Sequence, residues 1–171
     1  MHGVRLEPLE ERFLDDVAAL VADPDVLRFT RIPEPPPAGF ERGWTQSYVT
    51  GRREGTRAGF AAVDGDGRFL GLGLTPHIDR EGSEIELGYI VAREARGRGA
   101  GTAILGLLTR WAFDSVQAQR VYLVIDVENR PSLRVAERCG YRREGVLRST
   151  HVKQGQRADV ELWSRLPSDP D

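Results

Sequence analysis

The spacing of apolar residues changes period along this chain, and each change marks an element. From Ser83 to Val91 polar and apolar positions alternate, with Glu84, Glu86 and Gly88 on one face and Ile85, Leu87 and Tyr89 on the other, as a half-buried strand requires. Past a run of glycines, Ile104, Leu107, Leu108 and Trp111 recur at helical spacing, so one stripe of a helix faces a core while Thr109 and Arg110 point away. Upstream, Val4 to Leu9 reads as a short strand, and Phe13, Val17, Leu20 and Val21 place a helix over Glu10 to Ala22, closed by Asp23-Pro24. Val26 to Phe29 stays apolar without declaring a period. Ile32 to Gly39 carries PEPPP, a stiff extended segment suited to a rigid connector or to one wall of an acceptor pocket. Phe40 to Tyr48 is a second short helix. Ala58 to Val63 and Arg68 to Thr75 are strands joined by Asp64-Gly65-Asp66-Gly67, residues that tolerate the positive φ of a tight hairpin. A polar turn from Asp79 to Gly82 leads into the Ser83 strand. Arg120 to Val127, β-branched without alternation, suits a strand covered on both faces. A helix from about Ser132 to Cys139 ends at Gly140, and strands at Tyr141 to Leu147 and Ala158 to Leu166 flank a turn over Lys153 to Gln156. The tail from Pro167 to Asp171 is expected to fray.

This order of elements is mixed α/β, and 171 residues suit one domain over 1–171. With 40% hydrophobic and 29% charged residues the composition is that of a globular chain, not a disordered one. A net charge of -2 supplies no basic field for a nucleic-acid or membrane partner, so any anion must be held by local groups. Cys139 is the single cysteine, which excludes an internal disulfide and fits a reducing, cytoplasmic setting. His2, His77 and His151 are too scattered in sequence to suggest a metal site, and none is expected.

The glycine run is where chemistry concentrates. Arg96-Gly97-Arg98-Gly99-Ala100-Gly101 lies between the alternating strand and the helix, and a helix entered through glycines presents unpartnered N–H groups to an anion such as phosphate. A P-loop is excluded because no lysine follows these glycines; a dinucleotide fingerprint is excluded because its third glycine falls on Thr102. What remains is Arg-x-x-Gly-x-Gly, made by Arg96, Gly99 and Gly101. It resembles the pyrophosphate-binding motif of the GNAT N-acetyltransferase superfamily, whose members hold acetyl-CoA. Asn129-Arg130-Pro131-Ser132, with Arg134 to Tyr141 and Glu144 to Arg148 after it, is similar to the later part of the same superfamily and more narrowly to its RimJ/RimL-like branch. Arg5 to Leu9, Asp23 to Val26 and Asp159 to Leu162 fit that branch too. The resemblance implies a GNAT fold: a central, mostly antiparallel twisted sheet with helices on both faces, splayed at the cofactor cleft.

It also implies a site. Backbone groups of Tyr89, Ile90 and Val91 would pair with the pantetheine arm as an added strand. N–H groups of Arg96, Gly97, Arg98, Gly99, Ala100, Gly101 and Thr102 would cradle the pyrophosphate, and the guanidinium groups of Arg96, Arg98 and Arg134 would reach its oxygens. Asn129 would bond the pantetheine and Ser132 would lie near the sulfur, although both residue types also serve simply as helix caps. Glu86 is the candidate base, acting through water, with Glu84 on its face; both also read as solvent-facing strand carboxylates. Many members place an acidic tyrosine seven residues after the asparagine. Here that position is Ala136, so Ser132 becomes the candidate proton donor, and an N–H near Val91 the group that polarises the acetyl carbonyl. The expected activity is direct acetyl transfer, in a ternary complex, from acetyl-CoA to a primary amine: a protein or peptide N-terminus, or a small molecule. A non-catalytic acyl-CoA-binding module and a nucleic-acid-binding RGRG patch are the competing readings, and a homodimer is a candidate assembly.

Overall fold

The computed structural model describes residues 3–170; His2 and Asp171, drawn on in the sequence reading, lie outside the described residues. Seven strands form one open sheet: β1 (Arg5–Pro8), β2 (Ala58–Val63), β3 (Phe69–Asp79), β4 (Glu84–Val91), β5 (Arg120–Asp126), β6 (Arg142–Lys153) and β7 (Gln156–Arg165). Their order across the sheet is β1-β2-β3-β4-β5-β7-β6. All neighbours are antiparallel except β4 and β5, which run parallel because a helical crossover joins them. The helices are α1 (Leu14–Val21), α2 (Pro24–Phe29), α3 (Phe40–Glu54), α4 (Ala100–Asp114) and α5 (Arg130–Arg138).

Alternation along β4 splits the core between the two faces of the sheet. Ile85 and Leu87 pack with Leu105, Leu108 and Ala112 of α4, with Leu133 of α5 and with Val121, Leu123 and Ile125 of β5. Ile90 joins the opposite cluster, with Val17 and Leu20 of α1, Tyr48 of α3 and Leu72 and Leu74 of β3. Each fully buried Leu or Ile contributes about 1.5–3 kcal/mol, so the central strand is fixed from both sides. Thr109, expected to point outward, is instead buried: its hydroxyl donates to the Leu105 carbonyl and lies 2.7 Å from the Tyr141 hydroxyl, which gives that buried phenol its partner.

Local chemistry sets the element ends. In the β2–β3 hairpin Asp64 Oδ1 accepts from the N–H groups of Asp66 and Arg68, both at 2.9 Å, while Gly67 takes φ 81. Helix α5 closes with the Gly140 N–H on Glu137 and the Tyr141 N–H on Ala136, the two bonds of a Schellman motif, with Gly140 at φ 73. Several elements differ from their sequence-predicted spans. The first helix begins as a 3-10 turn at Glu11–Phe13, α3 runs on to Glu54, β3 to Asp79 and β6 to Lys153. The apolar Val26 to Phe29 stretch is helix α2, started by Pro24 and capped by Asp23, whose carboxylate accepts from Asp25 N–H at 3.0 Å. Residues 167–170 form a turn rather than a loose end: Leu166 N–H donates to Asp169 Oδ2 at 2.9 Å, and Arg142 pairs with Asp169 at 3.1 Å.

Asp23 does more than cap. Its buried carboxylate, 8% exposed, also receives Arg93 Nη2 at 3.0 Å and Arg96 Nη2 at 2.7 Å, tying α2 to the glycine turn. Burial pushes its pKa up, but the bonds from Arg93, the Asp25 amide and Arg96 outweigh it and hold the carboxyl below its ordinary 3.8. A depressed carboxyl stabilises the fold above its ordinary pKa, and that contribution is lost as pH falls through the lower, folded-state value. Replacing Asp23→Asn is expected to destabilise the protein by about 2 kcal/mol at pH 7. In urea melts run from pH 7 downward, the gap between native and variant should close below the ordinary carboxyl value.

Candidate active site

Strands β4 and β5 pair over only three positions, Glu84 with Arg120, Ile85 with Val121 and Glu86 with Tyr122. Beyond Glu86 they part, while β4 stays registered with β3 as far as Val91 and Gly71. The Ala92 N–H donates to Leu70 of β3 at 2.9 Å, so by strand alternation the N–H groups of Tyr89 and Val91 face the other way, into the gap. That edge is a ready ladder for an extended amide chain.

At the end of the gap stands the N-terminus of α4. Gly97 and Gly99 take φ 72 and 83, and a Cβ built on either meets nothing within 4 Å, so the space before the turn is open. The first bond into the helix is Ala103 N–H to Gly99 at 3.1 Å, which leaves the amides of Ala100, Gly101 and Thr102 ahead of the ladder. Gly101 allows close packing: a Cβ there would sit 3.1 Å from the Tyr89 ring and 3.4 Å from Val135. A row of free strand amides leading to a free helix N-terminus fits a pantetheine arm ending in pyrophosphate.

The arginines divide their work. Arg98 and Arg134 are exposed and, among the described residues, form no ion pair, so both guanidinium groups are available to phosphate. Arg96, expected on the phosphate by its side chain, is turned the other way. Its guanidinium meets Asp23, Asp25 at 2.9 Å and the Val91 carbonyl at 3.2 Å. The reason is electrostatic: the buried Asp23 carboxylate requires a cation, and Arg96 supplies it while bracing the turn against the end of β4.

A cavity of about 660 Å³ runs through the splay. Its walls include Arg31, Trp44, Tyr48, Glu86, Asn129 and His151. Glu86 sits there with its side chain 15% exposed and Arg31 at 3.1 Å. Glu84, its neighbour on the same face, lies where the strands are still paired and bonds Arg120 at 3.2 Å; it does not line the cavity. Asn129 Oδ1 accepts from Ser132 N–H at 3.2 Å and caps α5, which leaves its amide NH₂ as a donor.

Ser132 has a partner that sequence spacing did not point to. Its hydroxyl lies 3.0 Å from the Tyr89 hydroxyl, and burial pushes that phenol up to about 12 despite the bond from Ser132. Tyr89 is therefore protonated at any working pH and able to donate. Ala136, at the position where many members of the superfamily carry a tyrosine, is fully buried against the core, and the phenol beside Ser132 belongs to β4. The alternation of β4 already put Tyr89 on the α5 side, but only the packing of Gly101 shows how far its ring reaches. Among the described residues no three His, Cys, Asp or Glu side chains gather as a metal site, and no helix is long and apolar enough to cross a membrane.

An α/β sheet that opens beside a helix N-terminus can hold an extended amide chain that ends in phosphate. The acetyltransferase (GNAT) domain family matches residues 4–142, most of the chain, and the protein belongs to it. It is an enzyme of acetyl transfer with acetyl-CoA as donor. Relatives include the putative ribosomal N-acetyltransferase YdaF of Bacillus subtilis, 30% identical over 83% of this chain and 70% of its own. Spermidine N(1)-acetyltransferase of Escherichia coli is 27% identical over 91% of this chain and 81% of its own. The fold matches that of spermidine N-acetyltransferase from Vibrio cholerae, solved with CoA and spermine, at a TM-score of 0.88 over 99% of this chain and 98% of that one, with 21% identity. It matches RimL, the ribosomal L7/L12 acetyltransferase, equally well at 0.88, over 97% and 95% of the two chains with 17% identity.

Gly99→Glu puts a carboxylate and a side chain at φ 83 into the open space before α4. Calorimetry with acetyl-CoA is expected to show at least a 100-fold loss of affinity, about 2.7 kcal/mol. The variant should keep the native far-UV circular dichroism spectrum.

Proposed function

We propose that the protein transfers acetyl directly from acetyl-CoA to a single primary amine carried on an apolar or aromatic body, both substrates bound together in the splay between β4 and β5. The observation that carries this is the placement of unlike chemistry on the two sides of one gap: Glu86 with the aromatic walls on one side, the Tyr89–Ser132 hydroxyl pair on the other.

The donor supplies an activated acetyl group and a thiolate that must leave. The chain supplies the rest. Val91 N–H faces the gap and polarises the acetyl carbonyl, replacing water as its hydrogen-bond donor. Glu86, through water, takes the proton that the attacking nitrogen gives up. Arg31 holds that carboxylate in place from the connector between α2 and α3. Ser132 and Tyr89 deliver a proton toward the sulfur as one unit, since a serine hydroxyl alone is a weak acid and the phenol beside it is the stronger donor.

The walls favour one kind of acceptor. Phe29, Ile32, Pro33, Phe40, Trp44 and Tyr48 make the acceptor side aromatic and apolar. The carboxylates in the lining are Glu86 and Asp126, and each faces a basic side chain, Arg31 or His151. A polyamine would find no unpaired counter-charge there for its additional ammonium groups, whereas one amine on an apolar body buries surface worth roughly 25 cal/mol per Å². A small aromatic amine and a peptide whose first residue is apolar share this chemistry.

Initial-rate measurements are expected to give intersecting, not parallel, double-reciprocal lines, with 2-phenylethylamine and phenylalanine amide turned over and spermidine poor. Parallel lines, or a preference for spermidine, would overturn the reading. Glu86→Gln should lower kcat/KM for the amine by about 100-fold with acetyl-CoA affinity unchanged. Tyr89→Phe and Ser132→Ala should each lower kcat, and the double variant should be little worse than either, because paired hydroxyls acting as one donor are non-additive.

A further inference from the structure

His151 occupies a place that the pattern of β6 does not predict. This edge strand is exposed along most of its length, with Val146, Leu147 and Val152 all at 40% or more, yet the His151 side chain is only 10% exposed. A bulge sets its position along β7. Between Leu147 opposite Val160 and His151 opposite Ala158, β6 advances four residues while β7 advances two. The bulge is held from β7: Ser149, at φ 58, gives its N–H to Asp159 at 2.8 Å and receives Arg157 on its carbonyl at 2.8 Å.

Inside, His151 meets a carboxylate. Its Nδ1 lies 3.5 Å from Asp126 Oδ2 at the end of β5, and the Asp126 side chain is 9% exposed. Asp126 is itself oriented, because its Oδ1 accepts the Glu128 N–H at 2.8 Å. A carboxylate on Nδ1 places the ring proton there and leaves the lone pair on Nε2. Nε2 is buried, has no hydrogen-bond partner, and belongs to a residue that lines the acceptor cavity. A buried polar atom without a partner needs one, and a small turn of the ring toward the cavity that His151 lines would bring Nε2 within reach of one.

We infer that His151, positioned by Asp126, is the group that takes the first proton from the acceptor ammonium. This rests on the transfer reading of the same cleft and adds to it. An amine arriving as R–NH₃⁺ must lose two protons to become an amide. In the first step an N–H bond of the ammonium breaks and an Nε2–H bond forms, leaving a neutral amine beside an imidazolium paired with Asp126. The second proton leaves during attack toward Glu86, and the imidazolium returns its proton to water after the product departs. The charged groups around His151 are Asp126 from β5, Lys153 on its own strand with its ammonium bonded to the Thr30 and Ile32 carbonyls, and the Glu86–Arg31 pair lining the same cavity.

The test compares native protein, His151→Gln and Asp126→Asn on two probes, 2-phenylethylamine, a strong base, and phenylalanine amide, a weaker one that reaches the cleft neutral more often. His151→Gln is expected to lower kcat/KM for 2-phenylethylamine by about 100-fold at pH 7, to lower it much less for phenylalanine amide, and to recover as pH rises and the free amine accumulates. Asp126→Asn keeps the bond to Glu128 N–H and should show the same pattern with a smaller loss. Acetyl-CoA affinity by calorimetry and the melting temperature should match the native protein. A loss equal for both amines at every pH would make His151 structural and overturn the inference while leaving the transfer reading intact. Absence of transfer to either amine by the native protein would remove that reading and the inference with it.

Discussion

The pairing of β4 with β5 ends at Glu86 and Tyr122, and the site depends on that ending. Backbone amides beyond it cannot stay unpaired in a dry interior, so the gap must hold either water or another hydrogen-bonding chain. The two strands are nevertheless held rigidly, β4 by β3 and α4, β5 by β7. Neither can close the gap without breaking hydrogen bonds to its neighbour on the other side. The cleft is therefore a property of sheet topology, built before any ligand arrives.

The floor of that gap is supported from a distance. Arg96 bonds the Val91 carbonyl, Asp23 and Asp25, so the end of β4, the glycine turn and the start of α2 form one hydrogen-bonded unit across more than 70 residues of sequence. Helix α2 in turn leads into the connector that carries Arg31 to Glu86 and whose Thr30 and Ile32 carbonyls hold Lys153 of β6. The glycine turn and the Arg31–Glu86 wall of the cleft thus share a mechanical link through α2.

Much of this was legible in the sequence. The period-two run of β4, the Asp-Gly hairpin, Gly140 as a helix terminator and the glycine turn before α4 each state their geometry locally, and the folded chain repeats it. What was not legible depends on partners far apart in sequence. Arg96 looks like a phosphate ligand until Asp23 is beside it; buried charge demands a counter-charge, and no spacing rule reveals that pair. Helix α2 is too short to show a period, and a proline start with an aspartate cap identifies it only in hindsight. Ala136 at the usual tyrosine position leaves Ser132 as the donor in sequence, and the phenol that lies beside it in the fold comes from Tyr89 on another element. His151 looked isolated because the bulge that brings it to Asp126 is set by β7.

On the proposed reading, main-chain amides do much of the work of holding the donor, whereas the acceptor meets side chains. Amides of Val91, Ala100, Gly101 and Thr102 persist under almost any substitution that preserves the fold, since every residue but proline brings the same N–H. Phe29, Arg31, Trp44 and His151 do not; each is a side chain that can be exchanged singly, on α2, the connector after it, α3 and the edge strand β6. Such a scaffold can change what it acetylates while keeping what it acetylates with, so divergence in this architecture is channelled to one half of a single gap.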